Sequence, residues 1–207
     1  MIAIIDYGMG NLRSVKRGFD AVGAESIVSS DRGVIAKADR IVLPGVGAFA
    51  DCMKNLKKLK LVNPILDAIG SKKPFLGICL GFQVLFEESE EFGRHRGLGV
   101  LQGRVVRFKL ARKYKVPHMG WNRLLKKRRL PLLVDTPEGC YMYFVHSYHV
   151  VPKNSEIIVT TTDYGKEFCS SVAKNNIFAC QFHPEKSQKT GLGLLKAFAT
   201  FSSPSQR

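Results

Sequence analysis

The sequence predicts an α/β protein: an open, mixed but mostly parallel sheet flanked by helices, with additional antiparallel strands in the second half. Two observations predict it. In the first half, short apolar runs alternate with segments of helical period, the β-α-β-α-β-α-β-α order of a parallel sheet covered on both faces. In the second half, strand-like runs follow one another closely, with Asp163-Tyr164-Gly165 and Asn175-Asn176 supplying turns between the last three.

The elements follow in order. Ile2 to Asp6 is a short apolar strand. Asn11 caps a helix whose apolar face is Leu12, Val15, Phe19 and Val22, and Gly23 stops it. Ser26 to Ser29 reads as a second strand and Arg40 to Gly45 as a third, ending in a glycine loop. A helical stretch with lysines outward runs on to Gly70; Phe75 to Ile78 is the fourth strand and Leu80 to Glu88 reads as a helix. Leu101 to Lys109, Tyr141 to Val151, Glu156 to Thr162, Phe168 to Lys174 and Ile177 to Phe182 read as strands that join the same sheet or form a small one beside it. Lys126 to Pro131 reads as an exposed loop and Thr190 to Ser202 as a final helix. No repeat or linker divides the chain, so residues 1–207 are expected to form one domain.

Composition narrows the function. Hydrophobic residues make up 45% of the 207, which excludes a disordered chain. No apolar run is long enough for a membrane span, so no membrane role is expected. The start MIAIIDYG lacks a basic leader, and an acidic residue interrupts its apolar run. The five cysteines are odd in number and form no C-x-x-C pair, which points to reduced thiols in the cytoplasm and not to a disulfide framework or a zinc site. No metal or organic cofactor is implied. The net charge of +15 raises nucleic acid as a partner. The basic clusters carry no interleaved aromatics, zinc finger or basic-region heptads, so nucleic acid is not the expected partner. Steering toward an acidic protein face or a phosphorylated substrate is the alternative use of that charge.

The stretch KPFLGICLGFQ sets Cys79 between Gly77 and Gly81 where the fourth strand meets a helix. Gly-x-Cys-x-Gly is the thiol counterpart of the Gly-x-Ser-x-Gly elbow, in which a sharp turn crowds out neighbouring side chains and lifts the nucleophile off the sheet. A sulfur at a sheet's carboxyl edge reaches ligand space, and a helix N-terminus favours thiolate over thiol. A nucleophilic cysteine needs a base held by a third group. Of the histidines 95, 118, 146, 149 and 183, the last stands out in Gln181-Phe182-His183-Pro184-Glu185. Glu185, two residues on in an extended chain, returns to the same face and fixes the imidazole. His118, His146 and His149 read as structural or local hydrogen-bonding groups. Pro44-Gly45-Val46-Gly47 ends the third strand on the same edge, where glycines let backbone N–H groups of Val46 and Gly47, with that of Leu80, meet an oxyanion.

These residues resemble the class I (triad) glutamine amidotransferases, and within them the glutaminase subunits of imidazole glycerol phosphate synthases. The marks are Asp6 to Leu12, Leu43 to Phe49, Gly77 to Gly81 with Gln83, Phe86 to Glu91, Val116 to Asn122, Tyr143 to Tyr148 and Phe182 to Ser187, over a span from Ile2 to Phe201. The resemblance implies a Cys79, His183, Glu185 triad that hydrolyses glutamine through a thioester. It implies a glutamine pocket made by Gly47, Gln83, Glu91, Ser147 and Tyr148. It further implies ammonia passed to a (β/α)8 cyclase partner in a histidine-pathway heterodimer. Met9, Gly10 and Asn11, His118, Trp121 and Asn122, and Tyr143 and Lys186 match segments facing that partner. Activity is expected to stay low until docking turns a Val46 peptide into the oxyanion hole. Phe82, where methionine is frequent, and His149 depart from the family pattern without removing a catalytic group. The charge raises a paralogous subunit feeding surface-sugar (acetamidino) modification. A partner-independent cysteine hydrolase and a basic nucleic-acid binder are the readings of another class.

Overall fold

A computed structural model describes residues 1–201. The first half runs β1 (Ile2–Ile5), α1 (Leu12–Ala21), β2 (Ser26–Ser29), α2 (Arg32–Lys37), β3 (Arg40–Gly45), α3 (Phe49–Lys58), α4 (Val62–Gly70), β4 (Phe75–Cys79) and α5 (Leu80–Gln83). The second half holds β5 (Phe86–Ser89), β6 (His95–Arg96), β7 (Leu101–Arg107), β8 (His118–Arg123), β9 (Leu125–Lys126), β10 (Tyr141–His146), β11 (Tyr148–Pro152), β12 (Ile158–Asp163), β13 (Glu167–Lys174), β14 (Ile177–Cys180) and α6 (Gln188–Thr200). The expected end of the last helix, Ser202, lies outside the described residues.

The main sheet has the order β2-β1-β3-β4-β14-β13-β12-β9. From β2 to β14 the pairs are parallel; β13, β12 and β9 join by antiparallel pairing. The second half therefore extends the sheet, and it also adds a β10-β8 ribbon and a β11-β7-β5-β6 sheet. The parallel strands read as unbroken apolar runs because both their faces are covered. In β1, Ala3 and Ile5 pack with Ile35, Phe49, Leu56 and Ile65 of α2, α3 and α4, while Ile2 and Ile4 pack with Val15, Phe19, Leu194 and Phe198 of α1 and α6. Each large side chain buried this way contributes about 1.5–3 kcal/mol.

One expectation is filled in and three change. The helix α2, implied by the alternation but not placed by residue, starts at Asp31, whose carboxylate accepts from Val34 N at 2.8 Å. The expected helix to Gly70 is two helices: Lys60 takes a left-handed φ of 56°, Leu61 N bonds back to Leu56 O at 2.9 Å, and Pro64 sits in the first turn of α4, where it forfeits no intrahelical bond. The expected helix Leu80–Glu88 lasts one turn and gives way to β5, because β7 offers a strand partner and Glu87 accepts from Gly103 N at 2.8 Å. The expected strand Tyr141–Val151 is two, parted at Ser147: β10 pairs with β8 and β11 with β7. That parting leaves Ser147 between the two strands and Tyr148 at the start of β11.

Candidate active site

Register brings the site together. Gly45 of β3 pairs with Cys79 of β4, and Cys180 of β14 pairs with Ile78. The strand bearing the thiol thus lies between the strand ending in Pro44-Gly45-Val46-Gly47 and the strand leading to His183. The glycines around the thiol are explained by contact. A β-carbon on Gly81 would lie 1.8 Å from Leu43 O, because α5 passes directly over β3. One on Gly77 would lie 2.9 Å from Gly81 O, because the same turn doubles back over β4. Cys79 itself has φ 55° and ψ −107°, a conformation costing a non-glycine residue about 1–3 kcal/mol.

Cys79 is 6% exposed and lines the wall of a cavity of about 160 Å³ with Val46, Gly47, Leu80, Gln83 and His183. One expectation about it is corrected. With α5 only four residues long, a helix macrodipole contributes little; local N–H groups remain. The cavity is closed on its other side by Glu91 and by the Val145–Tyr148 bend. Its volume is far below the ~300–1,000 Å³ of drug-sized sites and suits one small amino acid. A larger groove of about 840 Å³ lies near the strands' amino ends, between α2, α3 and α4, with Arg32, Lys57, Lys60 and Lys73 in its wall and neither cysteine nor histidine.

His183 Nδ1–H donates to Glu185 Oε1 at 2.8 Å, both side chains being at most 2% exposed. Glu185 does not return along an extended chain as expected: Pro184–Lys186 is a turn of 3-10 helix, and the carboxylate comes round within it. The turn is pinned by Ser187 Oγ, which donates to His183 O at 2.6 Å. His183 Nε2 is buried without a hydrogen-bond partner. Burial alone would depress this imidazole, but the negative charge of Cys79 and Glu185 outweighs it and raises the pKa to about 10. The site therefore favours the imidazolium form of His183. Burial pushes the Cys52 thiol up to about 12 and those of Cys169 and Cys180 upward as well, so they are inert by comparison. All five cysteines are free.

The expected glutamine-binding residues Gly47, Gln83, Glu91, Ser147 and Tyr148 all line the cavity. Glu91 Oε2 accepts from Phe49 N at 2.7 Å, anchoring the start of α3; burial raises its pKa. Gly47 has φ 93°, and a β-carbon there would lie 2.6 Å from Met9 Cε, so Met9 packs on the Pro44–Gly47 loop.

Of the expected partner-facing residues, Trp121 is 45% exposed and pairs across the ribbon with Tyr143, which lies under Lys186 Nζ at 5.6 Å. Gly10 and Met9 flank the loop, and Asn11 caps α1 by accepting from Ser14 N. His118 is a correction: it is 2% exposed and does not face outward. Its ring belongs to an aromatic cluster with Phe108, Phe144 and Phe168. Asn122 is half-buried, its amide donating to Asp163 O at 2.8 Å. His146 and His149 stand on separate strands, β10 and β11, and both are buried. Phe82 is fully buried against Phe86, so the methionine-to-phenylalanine departure is absorbed by packing.

Sequence reasoning passed over Gln181. It is 0% exposed and bridges Gln83 to Cys79. Its signal was present: a glutamine inside the apolar run Ile177 to Phe182, two residues before His183 and so at the same strand phase. Among the described residues no group of three or more His, Cys, Asp or Glu could hold a metal ion, and no helix is long and apolar enough to cross a membrane.

A cysteine elbow, a carboxylate-held histidine and a glycine loop, gathered at the carboxyl edge of such a sheet, define an amidotransferase of the class-I type. The model of the family glutamine amidotransferase class-I matches residues 3–200, and the chain belongs to that family. More particularly, it is 54% identical over 203 residues to the imidazole glycerol phosphate synthase subunit HisH of Syntrophotalea carbinolica, covering 96% of this chain and 98% of that one. It is 55% identical over 196 residues to the subunit of the same name from Aquifex aeolicus, covering 94% of each. Among solved structures, PurLQS from Thermotoga maritima superposes with a TM-score of 0.73 over 95% of this chain and 96% of that one; at 18% identity this speaks for the fold alone.

Proposed function

We propose that the chain is the glutaminase subunit of an imidazole glycerol phosphate synthase, working in the cytoplasm as one domain. It hydrolyses glutamine to glutamate and passes the ammonia to a (β/α)8 cyclase partner in histidine biosynthesis. The observation that carries the chemistry is the buried, unpartnered His183 Nε2 beside Cys79, with Nδ1 held by Glu185. Identity of 54–55% over nearly the whole chain to subunits named HisH supports the pathway.

Gln83, Glu91 and the Ser147–Tyr148 backbone hold the amino-acid end of glutamine. The Cys79 thiolate attacks the side-chain amide carbon, and the N–H of Leu80 with those of the Val46–Gly47 loop takes the oxyanion. His183 Nε2–H protonates the departing ammonia, leaving a thioester. Water attacks the thioester, His183 takes its proton, and glutamate leaves with the thiolate restored. Docking against Trp121, Tyr143, Lys186 and the Met9–Asn11 segment, which packs on the loop, couples the partner to the oxyanion hole.

Glutamine turnover with and without a co-purified cyclase tests this reading. Turnover is expected to rise on docking. Cys79→Ala is expected to abolish glutamine use while the complex still consumes added ammonia. Loss of both activities, or turnover indifferent to the partner, overturns the proposal.

A further inference from the structure

Tyr148 O accepts two hydrogen bonds: from His146 Nδ1–H at 2.8 Å and from Gln83 Nε2 at 3.0 Å. A carbonyl oxygen can only accept, so it sets the polarity of everything attached to it. Gln83 must turn its NH2 group toward Tyr148. The same nitrogen lies 3.0 Å from Gln181 Oε1, so Gln181 must present its oxygen to Gln83. Its NH2 group then faces the other way, where Nε2 lies 3.6 Å from Cys79 Sγ. Turning either amide over brings two NH2 groups or two oxygens together. The order runs equally firmly in the other direction. His146 donates its Nδ1–H to Tyr148 O, so its Nε2 accepts from His118 Nδ1–H at 3.1 Å, and His118 Nε2 accepts from Asn122 Nδ2 at 3.2 Å.

We propose that Gln181 is a positioning residue for the nucleophile: its side-chain N–H, aimed by Gln83 and ultimately by the Tyr148 carbonyl, holds Cys79 Sγ in place and favours the thiolate. A hydrogen bond to the charged form of a group stabilises that form, and a fully buried amide is costly to place unless its N–H and oxygen are both used. This role rests on reading Cys79 as the nucleophile. Gln83 thereby has both its N–H groups committed to Tyr148 and Gln181, leaving its Oε1 for substrate. An acceptor suits the ammonium of glutamine and not its carboxylate.

The test is the pH dependence of Cys79 alkylation by iodoacetamide in the full chain, with each cysteine read separately by peptide mass spectrometry. Gln181→Met is expected to move the midpoint for Cys79 up by about one pH unit, a tenfold loss of thiolate at fixed pH. Gln83→Met is expected to move it the same way by less, since Gln181 is then free to turn over. The double variant is expected to match Gln181→Met alone. A Gln181→Met protein that melts like the parent with an unmoved midpoint overturns the proposal, as do shifts that add in the double variant. If Gln181→Met does not fold, an unmoved midpoint in Gln83→Met overturns it. Alkylation consumes no glutamine, so the two readings fail separately. A shifted midpoint in a chain that never turns over glutamine removes the proposed function only. An active glutaminase indifferent to Gln181 removes the clamp only.

Discussion

Gly81→Ala asks whether backbone crowding is what holds the thiol on its corner. The new β-carbon would meet Leu43 O at 1.8 Å and Leu43 C at 2.7 Å, both main-chain atoms of β3, so no rotamer change relieves the clash. Carbon and oxygen in contact stand about 3.3 Å apart, so α5 and β3 must separate by about 1.5 Å. Overpacking that side chains can absorb costs ~1–3 kcal/mol; with only backbone to yield, about 3–5 kcal/mol is expected. At a urea m-value of ~2–3 kcal/mol/M, the unfolding midpoint should fall by about 1–2.5 M. A displacement of that size next to the nucleophile should also lower partner-stimulated glutamine turnover by about 100-fold. Gly193→Ala is the control. It lies on α6, where a β-carbon would meet nothing within 4 Å, and should stabilise the chain by about 0.4–1 kcal/mol. A Gly81→Ala protein with the parent's urea midpoint and turnover would refute the crowding argument.

Other outcomes follow from the same geometry. Glu185→Gln removes a charge that raises His183, so the alkaline limb of the glutaminase profile, set by a group near 10, should move down by about one unit or more, with lower kcat; an unmoved limb contradicts the triad. Because that imidazole's pKa is raised on folding, its stabilisation is complete below the unfolded value of about 6.5 and is lost as pH rises toward about 10. Urea midpoints between pH 7 and 10 should therefore fall more steeply in the parent than in Glu185→Gln, and parallel curves would count against the pairing. Burial lowers His118 to about 4, so the opposite sign applies: its contribution is present above about 6.5 and is lost as pH falls toward 4, at up to ~1.4 kcal/mol per unit. Melting temperature should drop across that window, and a flat profile down to pH 4.5 would contradict it. Trp121→Ala, half-exposed on the β8–β10 ribbon, should weaken cyclase binding about 30-fold or more without altering the melt, as read by titration calorimetry; an unchanged Kd removes it as an anchor.

The features legible in the chain were those encoded within a few residues. The parallel strands showed as apolar runs because both faces are covered; Gly77, Cys79 and Gly81 showed an elbow because a sharp corner leaves no room for β-carbons; His183 and Glu185 showed a pair because they are neighbours. The residues expected to hold glutamine were read only through motifs matched to a family. Where the reading failed, a partner far along the chain decided. Phe86–Ser89 left the helix for β7, the run Tyr141–Val151 broke at Ser147 because its two ends pair with different sheets, and His118 turned inward among aromatic rings.

By itself, then, the sequence determined the covered parallel sheet, the cysteine corner and the carboxylate-held histidine, because turn sterics and side-chain period act locally along the backbone. Tertiary structure alone decided that β3, β4 and β14 lie side by side, that the thiol lines a cavity, and that Gln181 joins Gln83 to Cys79. Strand order and the direction of a buried amide depend on groups about a hundred residues apart, and their hydrogen bonds exist only once those strands have met.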